Sequence, residues 1–274
     1  MTCDTERRRF LHTVGTGALG VAIFGVVAAA CSSDEPASSS TSPSTTAGAV
    51  ATTTTAAAVG ATTTTTTATV VTTTSAPVTE LVTSKRVNLD FVSAYIIDRG
   101  DGLVVVDTGV GGSAAAINAV IEEYGKSWND VGYLIATHDH PDHVGSFNAV
   151  LNLATGADVF AGDPDAPGIA ADRPITPLLD GDIVNGIQIV ATPGHTPGSI
   201  SLLDPDVGLF AGDAMQGANG TAIGPNPRFT PDLPTAFESV KKLATFTYEQ
   251  AFFGHGEPVL VGASDAVRTL AASL

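Results

Sequence analysis

The segment Thr137-His138-Asp139-His140-Pro141-Asp142-His143 places three imidazoles and two carboxylates within a few residues of each other. The chain has six histidines, and half of them sit here. Two more lie far downstream in turn-rich surroundings, at Thr192-Pro193-Gly194-His195 and at Gly254-His255-Gly256. The sixth, His12, falls in an N-terminal leader. Imidazole and carboxylate together suit zinc, iron and manganese. This distribution is that of a metal site assembled from several loops. A lone histidine, or a Gly-Asp pair such as Gly212-Asp213, is ordinary surface or turn chemistry; the clustered motif is not.

The spacing suggests how the ligands divide. His138 and His140 are two apart, directly after an apolar run. In extended backbone such residues point to the same side, so both reach one ion. Pro141 turns the chain, so Asp142 and His143 face a neighbouring position. His195 and His255 arrive from other strand ends, and Asp213 adds a carboxylate able to bridge two ions. That makes seven candidate ligands, enough for two ions sharing a water-derived ligand.

These residues need a rigid frame, and its elements can be read from the pattern. Val87 to Ile97 reads as a strand, followed by a turn at 98–102. Leu103-Val104-Val105-Val106 is a continuous apolar run, as for a strand buried on both faces. Ser113 is placed to cap a helix carrying Ile117, Val120, Ile121 and Tyr124 on one face. Val131–Ala136 reads as a buried strand running into the histidine motif. Val144–Leu153 reads as a helix, and Asp158–Ala161 as a short strand. Residues 163–178 read as a loop. Asn185-Gly186 is a hairpin turn, and Ile187–Ala191 leads to His195. Ile200–Leu203 and Val207–Ala211 are strands, the second ending at Gly212-Asp213. Residues 216–231 read as a second loop, followed by a helix to Leu243. The strand Gln250–Phe253 then ends at His255, and Ser264 is placed to cap the last helix. Each candidate ligand thus follows a strand end, where loops on a sheet concentrate function. The whole pattern fits two packed sheets with helices outside.

With these motifs in order, the chain resembles the metallo-β-lactamase-fold hydrolases. His138-x-His140-x-Asp142-His143, then His195, Asp213 and His255, match that family's dinuclear pattern in order and type. Asp107-Thr108-Gly109, Thr192-Pro193-Gly194-His195-Thr196-Pro197-Gly198-Ser199 and Gly254-His255-Gly256 match its landmarks. The resemblance spans residues 85–274 and implies an α+β, four-layer αββα sandwich. It implies that His138, His140 and His195 hold one ion, that Asp142, His143 and His255 hold another, and that Asp213 bridges them. Zinc is expected, with iron or manganese as alternatives. Asp107 is implied to orient a ligand imidazole. Asp139 matches no ligand position and reads as facing solvent or supporting a ligand. Asp142 is also expected to orient the attacking hydroxide or take up its proton.

The implied activity is hydrolysis of an ester, thioester, lactone or related bond in a small molecule. No Ser or Cys nucleophile is required. Two alternatives share the fold: a mononuclear iron dioxygenase, and a catalytically silent metal-binding lipoprotein. A glutathione thioester is disfavoured, because only a short strand-turn and one helix follow His255. Arg173 and Arg228 in the two loops are candidates for binding an anionic group. Met215 and Phe229 are candidates for an apolar wall.

Composition bounds the rest. The only cysteines are Cys3 and Cys31, so residues 79–274 carry no disulfide and no thiolate ligand. The formal net charge of −16 argues against nucleic acid, whose phosphates are bound through Lys and Arg. Residues 1–31 read as an export signal: Arg7-Arg8-Arg9-Phe10-Leu11, then an apolar run from Val14 to Ala30. The arginine pair resembles a twin-arginine signal. Ala28-Ala29-Ala30-Cys31 resembles a lipoprotein cleavage box, with Cys31 lipidated. Residues 32–78, rich in Ser, Thr, Ala and Pro, read as a disordered tether. The domain at 79–274 would then sit at the outer face of the cytoplasmic membrane. Cys31→Ala is expected to move the protein from the membrane fraction to the soluble one; unchanged partitioning would point to an uncleaved anchor.

Overall fold

The computed structural model describes residues 82–274, which belong to the unit Val71–Leu274. The export signal at 1–31 and nearly all of the tether at 32–78 fall before that unit, and both lie outside the described residues. Among the described residues no helix is long and apolar enough to cross a membrane.

Two sheets form the centre. The first has the order β1-β2-β3-β4-β5-β6: Thr83–Leu89, Val92–Asp98, Leu103–Val106, Val131–Ala136, Asp158–Gly162 and Thr176–Leu178. The second has the order β13-β10-β9-β8-β7: Ala251–Phe252, Gly208–Phe210, Ile200–Asp204, Ile187–Ala191 and Ile183–Val184. A small hairpin, β11 (Gln216–Ala218) with β12 (Thr221–Ile223), completes the strands. The helices are α1 (Ala114–Glu123), α2 (Pro141–Val144), α3 (Phe147–Leu153), α4 (Leu233–Leu243) and α5 (Ala263–Ala271).

Strand alternation explains the layering, because successive side chains point to opposite faces. In β2, Ala94 and Ile96 pack outward with Ile117 and Ile121 of α1 and Val150 of α3. Tyr95 and Ile97 point inward and meet Ile189, Leu202, Phe210 and Phe252 of the second sheet. On the far side, Leu209 and Ala251 pack on Val240 and Leu243 of α4 and Val267 of α5. The central strands β2, β3 and β10 are therefore buried on both faces. The result is the four-layer αββα sandwich that the sequence implied.

Polar side chains also tie the two sheets together. The Tyr95 hydroxyl donates to the Phe253 carbonyl at 2.7 Å, and burial pushes its pKa up to about 12. Arg99, in the turn after β2, pairs with the fully buried Asp204 at the end of β9. A buried charge persists only when paired in this way.

Several elements differ from the sequence expectations. Val87–Ile97 is not one strand: the chain reverses at Asp90-Phe91, where Asp90 has φ 73°, and forms the β1–β2 hairpin. Val144–Leu153 is broken at Gly145-Ser146 into α2 and α3. Gly145 passes so close to the neighbouring chain that a Cβ there would lie 2.5 Å from the Pro141 carbonyl oxygen and 2.6 Å from the Gly111 nitrogen. The loop 163–178 ends in strand β6, which pairs with β5. The loop 216–231 contains the β11–β12 hairpin, turning at Asn219-Gly220 with φ 53° and 75°. Ser264 lies inside α5, and Gly262 is the capping residue. The Ser264 hydroxyl instead donates to the Tyr248 carbonyl and accepts from its N–H, both at 2.7 Å.

Candidate metal centre

The loops that follow β3, β4, β8, β10 and β13 converge at one edge of the sandwich. β3 runs parallel to β4, and β10 parallel to β13, so their C-terminal ends lie together. Backbone hydrogen bonds then lock the loops to one another. Ile200 N–H donates to the Thr137 carbonyl at 2.9 Å, joining the two sheets. Gly254 N–H donates to the Gly212 carbonyl at 3.0 Å, and Ser93 N–H donates to the Gly254 carbonyl at 2.8 Å.

All seven candidate ligands from the sequence meet here. One oxygen or nitrogen from each of His138, His140 and His195 lies within 4.8 Å of the others. The same holds for Asp142, His143 and His255, and for His138, His143 and Asp213. Asp213 lies between the clusters. Its Oδ2 is 3.4 Å from His195 Nε2 and 3.2 Å from His255 Nε2, and its Oδ1 is 3.4 Å from His143 Nε2.

Hydrogen bonding on the outer side of each ring sets which nitrogen faces inward. His143 Nδ1 donates to Asp107 Oδ2 at 2.8 Å. His255 Nδ1 donates to the Phe91 carbonyl at 2.7 Å. His138 Nδ1 is 3.0 Å from Thr137 Oγ1, whose hydroxyl donates to Asp107 Oδ2 at 2.8 Å. His195 Nδ1 is 3.2 Å from Thr230 Oγ1. In all four rings this leaves Nε2 directed into the cluster. His140 turns the other way, with its Nδ1 2.9 Å from His195 Nε2.

The donor set fits a divalent cation on an observation independent of the motif. His138 Nε2, His143 Nε2 and Asp213 Oδ1 are buried without a hydrogen-bond partner, although buried polar atoms are almost always satisfied. They belong to one cluster, aimed at a common centre. The electrostatics agree. Burial, reinforced by neighbouring imidazoles, pulls His138 well below its ordinary pKa, and burial lowers His195 to about 4. Both rings are therefore neutral and ligand-ready. Hydrogen bonds to Asp142 and Asp213 raise His255 to about 10, while the bond from His255 holds Asp142 at about 2. Carboxylates that favour a proton at this point favour any cation there.

Asp107 fulfils the supporting role expected of it, and the structure adds others. Asp107 Oδ1 also accepts from Thr137 N–H at 2.7 Å, so one carboxylate orients both the start of the motif and His143. Asp165 was not anticipated. It accepts from Gly198 N–H at 2.7 Å and from the Thr196 hydroxyl. It thus holds the turn after β5 to the His195 loop, and the Asp139 carboxylate lies against Gly168 of the same turn. Gly254 also matters: a Cβ there would lie 2.2 Å from Asp213 Oδ1 and 2.5 Å from His143 Cε1.

A cleft of about 490 Å³ opens above the cluster, with Asp142, His195 and His255 in its floor and Phe91, Gln216, Asn226 and Phe229 around it. That volume is in the range of small-molecule sites. Phe229 lines the cleft as the sequence suggested. Met215 does not; it is fully buried among the residues packed under α4 and α5. Arg173 is not at the cleft either, since its guanidinium donates to the Ala154 and Thr155 carbonyls at the end of α3. Arg228 lies over the Phe229 ring, 5.4 Å from its centroid.

Comparisons with known proteins agree with this geometry. A profile of the Metallo-beta-lactamase superfamily matches residues 87–255. The probable metallo-hydrolase YflN of Bacillus subtilis (strain 168) is 30% identical over 201 residues, covering 57% of this chain and 76% of YflN. Hydroxyacylglutathione hydrolase of Brucella anthropi is 32% identical over 151 residues, covering 52% of this chain and 53% of that protein. Among solved structures, TTHA1623 in a di-iron-bound form matches with a TM-score of 0.51 at 27% identity, covering 61% of this chain and 88% of that one.

Proposed function

The chain belongs to the metallo-β-lactamase superfamily, and from that premise we propose that it is a dinuclear metal-dependent hydrolase acting on an ester-like bond of a small molecule. The observation that carries this reading is the convergence of three unpartnered buried atoms, on His138, His143 and Asp213, between two ligand clusters. His138, His140 and His195 would hold one divalent ion and Asp142, His143 and His255 the other, with Asp213 shared. Two such ions supply Lewis acidity, lowering the pKa of water toward ~7 and polarising a substrate oxygen.

The chain's own residues supply position. Asp107, Thr137, Thr230 and the Phe91 carbonyl fix the imidazole rings and their tautomers, a role that hydrogen-bond partners of ligands commonly play. Asp142 borders the cleft with a carboxylate oxygen 3.3 Å from His255 Nε2, placed to orient an attacking water. The reaction adds water across the acyl–oxygen bond. The acyl carbon gains the water oxygen, the alcohol oxygen gains a proton, and the acid leaves as a carboxylate and a proton.

Hydrolysis by the full chain should be measured across ester, thioester and lactone panels, before and after chelation. Activity that is lost on chelation and restored by added zinc, iron or manganese is expected. Turnover that survives complete metal removal would contradict the reading, as would a fully loaded protein inactive on every panel.

A further inference from the structure

The described residues leave few large aromatic side chains exposed, and two of them face the same cleft. Phe91 is 58% exposed and Phe229 is 55% exposed, and both line the space above the ligand cluster. Neither is exposed by default. Phe91 sits at the tip of the β1–β2 hairpin, held there by the left-handed Asp90 and by its own carbonyl, which accepts from His255 Nδ1. Its ring lies nearly parallel to the His255 imidazole, 9° apart with centroids 6.1 Å apart. Phe229 projects from a turn closed on itself. Its N–H donates to the Asn226 carbonyl at 3.0 Å, and Arg228 N–H donates to Asn226 Oδ1 at 3.1 Å. Fixed apolar walls lose little conformational freedom when a ligand binds.

Outside the ligand cluster, the polar side chains that line the cleft are neutral. Gln216 and Asn226 border the cleft, and each amide can donate and accept. Among the described residues no Lys or Arg side chain lines it. Arg228 rests against the Phe229 ring without being one of the lining residues, and Arg86 is engaged by Glu257 and by the Gly256 carbonyl. Beyond the ligand cluster, the far end of a substrate that carried a carboxylate or phosphate would find no countercharge among the described lining side chains.

Resting on the hydrolase reading above, we propose that Phe91 and Phe229 form an aromatic wall that selects a neutral ester carrying an apolar acyl chain. The chain lies against the two rings, while Gln216 and Asn226 hydrogen-bond to its uncharged polar atoms. Anionic thioesters and phosphoesters are discriminated against.

The test compares kcat/KM of the metal-loaded full chain on p-nitrophenyl acetate, p-nitrophenyl hexanoate and the mono-p-nitrophenyl ester of adipic acid. The last ends a chain of equal length in a carboxylate. A buried methylene contributes roughly fourfold, so a partly buried acyl chain should favour hexanoate over acetate by at least about tenfold. The adipate ester should fall below hexanoate by a similar factor. Phe229→Ala should bring the hexanoate-to-acetate ratio close to unity, and Phe229→Leu, which keeps apolar area, should retain most of it. Binding of unreactive hexanamide, followed by NMR, should weaken in Phe229→Ala.

An unchanged chain-length ratio in Phe229→Ala, or an adipate ester as good as hexanoate, would overturn the wall while leaving the hydrolase intact. No turnover of any ester, combined with Phe229-dependent hexanamide binding, would instead overturn the hydrolase reading and keep the wall.

Discussion

Asp213→Ala is expected to lower hydrolytic turnover by about 10²–10³-fold or more, the loss seen when one group aimed at developing charge is removed. Among the described residues, Asp213 is the one carboxylate whose oxygens approach rings of both ligand clusters, at 3.4 Å from His195, 3.4 Å from His143 and 3.2 Å from His255. Without it, five imidazoles and Asp142 would face two divalent ions with half the compensating carboxylate charge. Burial alone would raise the Asp213 pKa, yet the surrounding imidazoles outweigh it and hold the group ionised. Asp213→Asn keeps the shape and removes the charge, and the same loss is expected from it. Steady-state kinetics check this, with thermal unfolding as the control for fold. Turnover within about threefold of wild type, far short of that loss, would mean that Asp213 does not serve the reaction.

Asp107→Ala should act differently, on both affinity and stability. The carboxylate is 2% exposed and accepts from Thr137 N–H, the Thr137 hydroxyl and His143 Nδ1–H. Truncation leaves those donors buried and unpaired at about 1–3 kcal/mol each. It also places alanine at φ 60°, a left-handed conformation that Asp and Asn tolerate far better. A stability loss of about 3 kcal/mol or more is expected, read from the denaturant midpoint. Metal affinity should fall roughly 10–100-fold, as for the loss of other hydrogen-bond partners of ligands, read by competition with a chelator. Asp107→Asn separates the two effects. It keeps the backbone conformation and one acceptor oxygen, but its amide cannot both serve Thr137 and accept from His143. Stability should largely recover, and metal affinity should not.

The candidate ligands were legible in the sequence because their chemistry is local. His138, His140, Asp142 and His143 are neighbours, and His195, Asp213 and His255 each follow a recognisable strand. The two-sheet architecture was legible because strands such as Leu103–Val106 are apolar on both faces, which only a sandwiched sheet requires. Asp107 was legible only through the family resemblance, and Asp165 and Phe91, which also act through contacts distant in sequence, were not visible. Asp165 reaches Thr196 and Gly198 across a fold that no spacing announces. Phe91 supports His255 from the far end of the domain. Its hairpin was hidden because Leu89-Asp90-Phe91-Val92 reads as continuous strand, and only the φ of 73° at Asp90 reverses it. The β11–β12 hairpin did carry a signal. Asn219-Gly220 is the same dipeptide as Asn185-Gly186, but its flanking strands, Gln216–Ala218 and Thr221–Ile223, are too short to show alternation.

The most direct test of the account is the metal content of the full chain purified without chelator, in wild type and in Asp213→Ala. About two divalent ions per wild-type chain are expected, as in two-metal sites, with at least one lost in the variant. A single iron per chain, unaffected by the substitution, would contradict the dinuclear hydrolase and point to oxygen chemistry on the same fold.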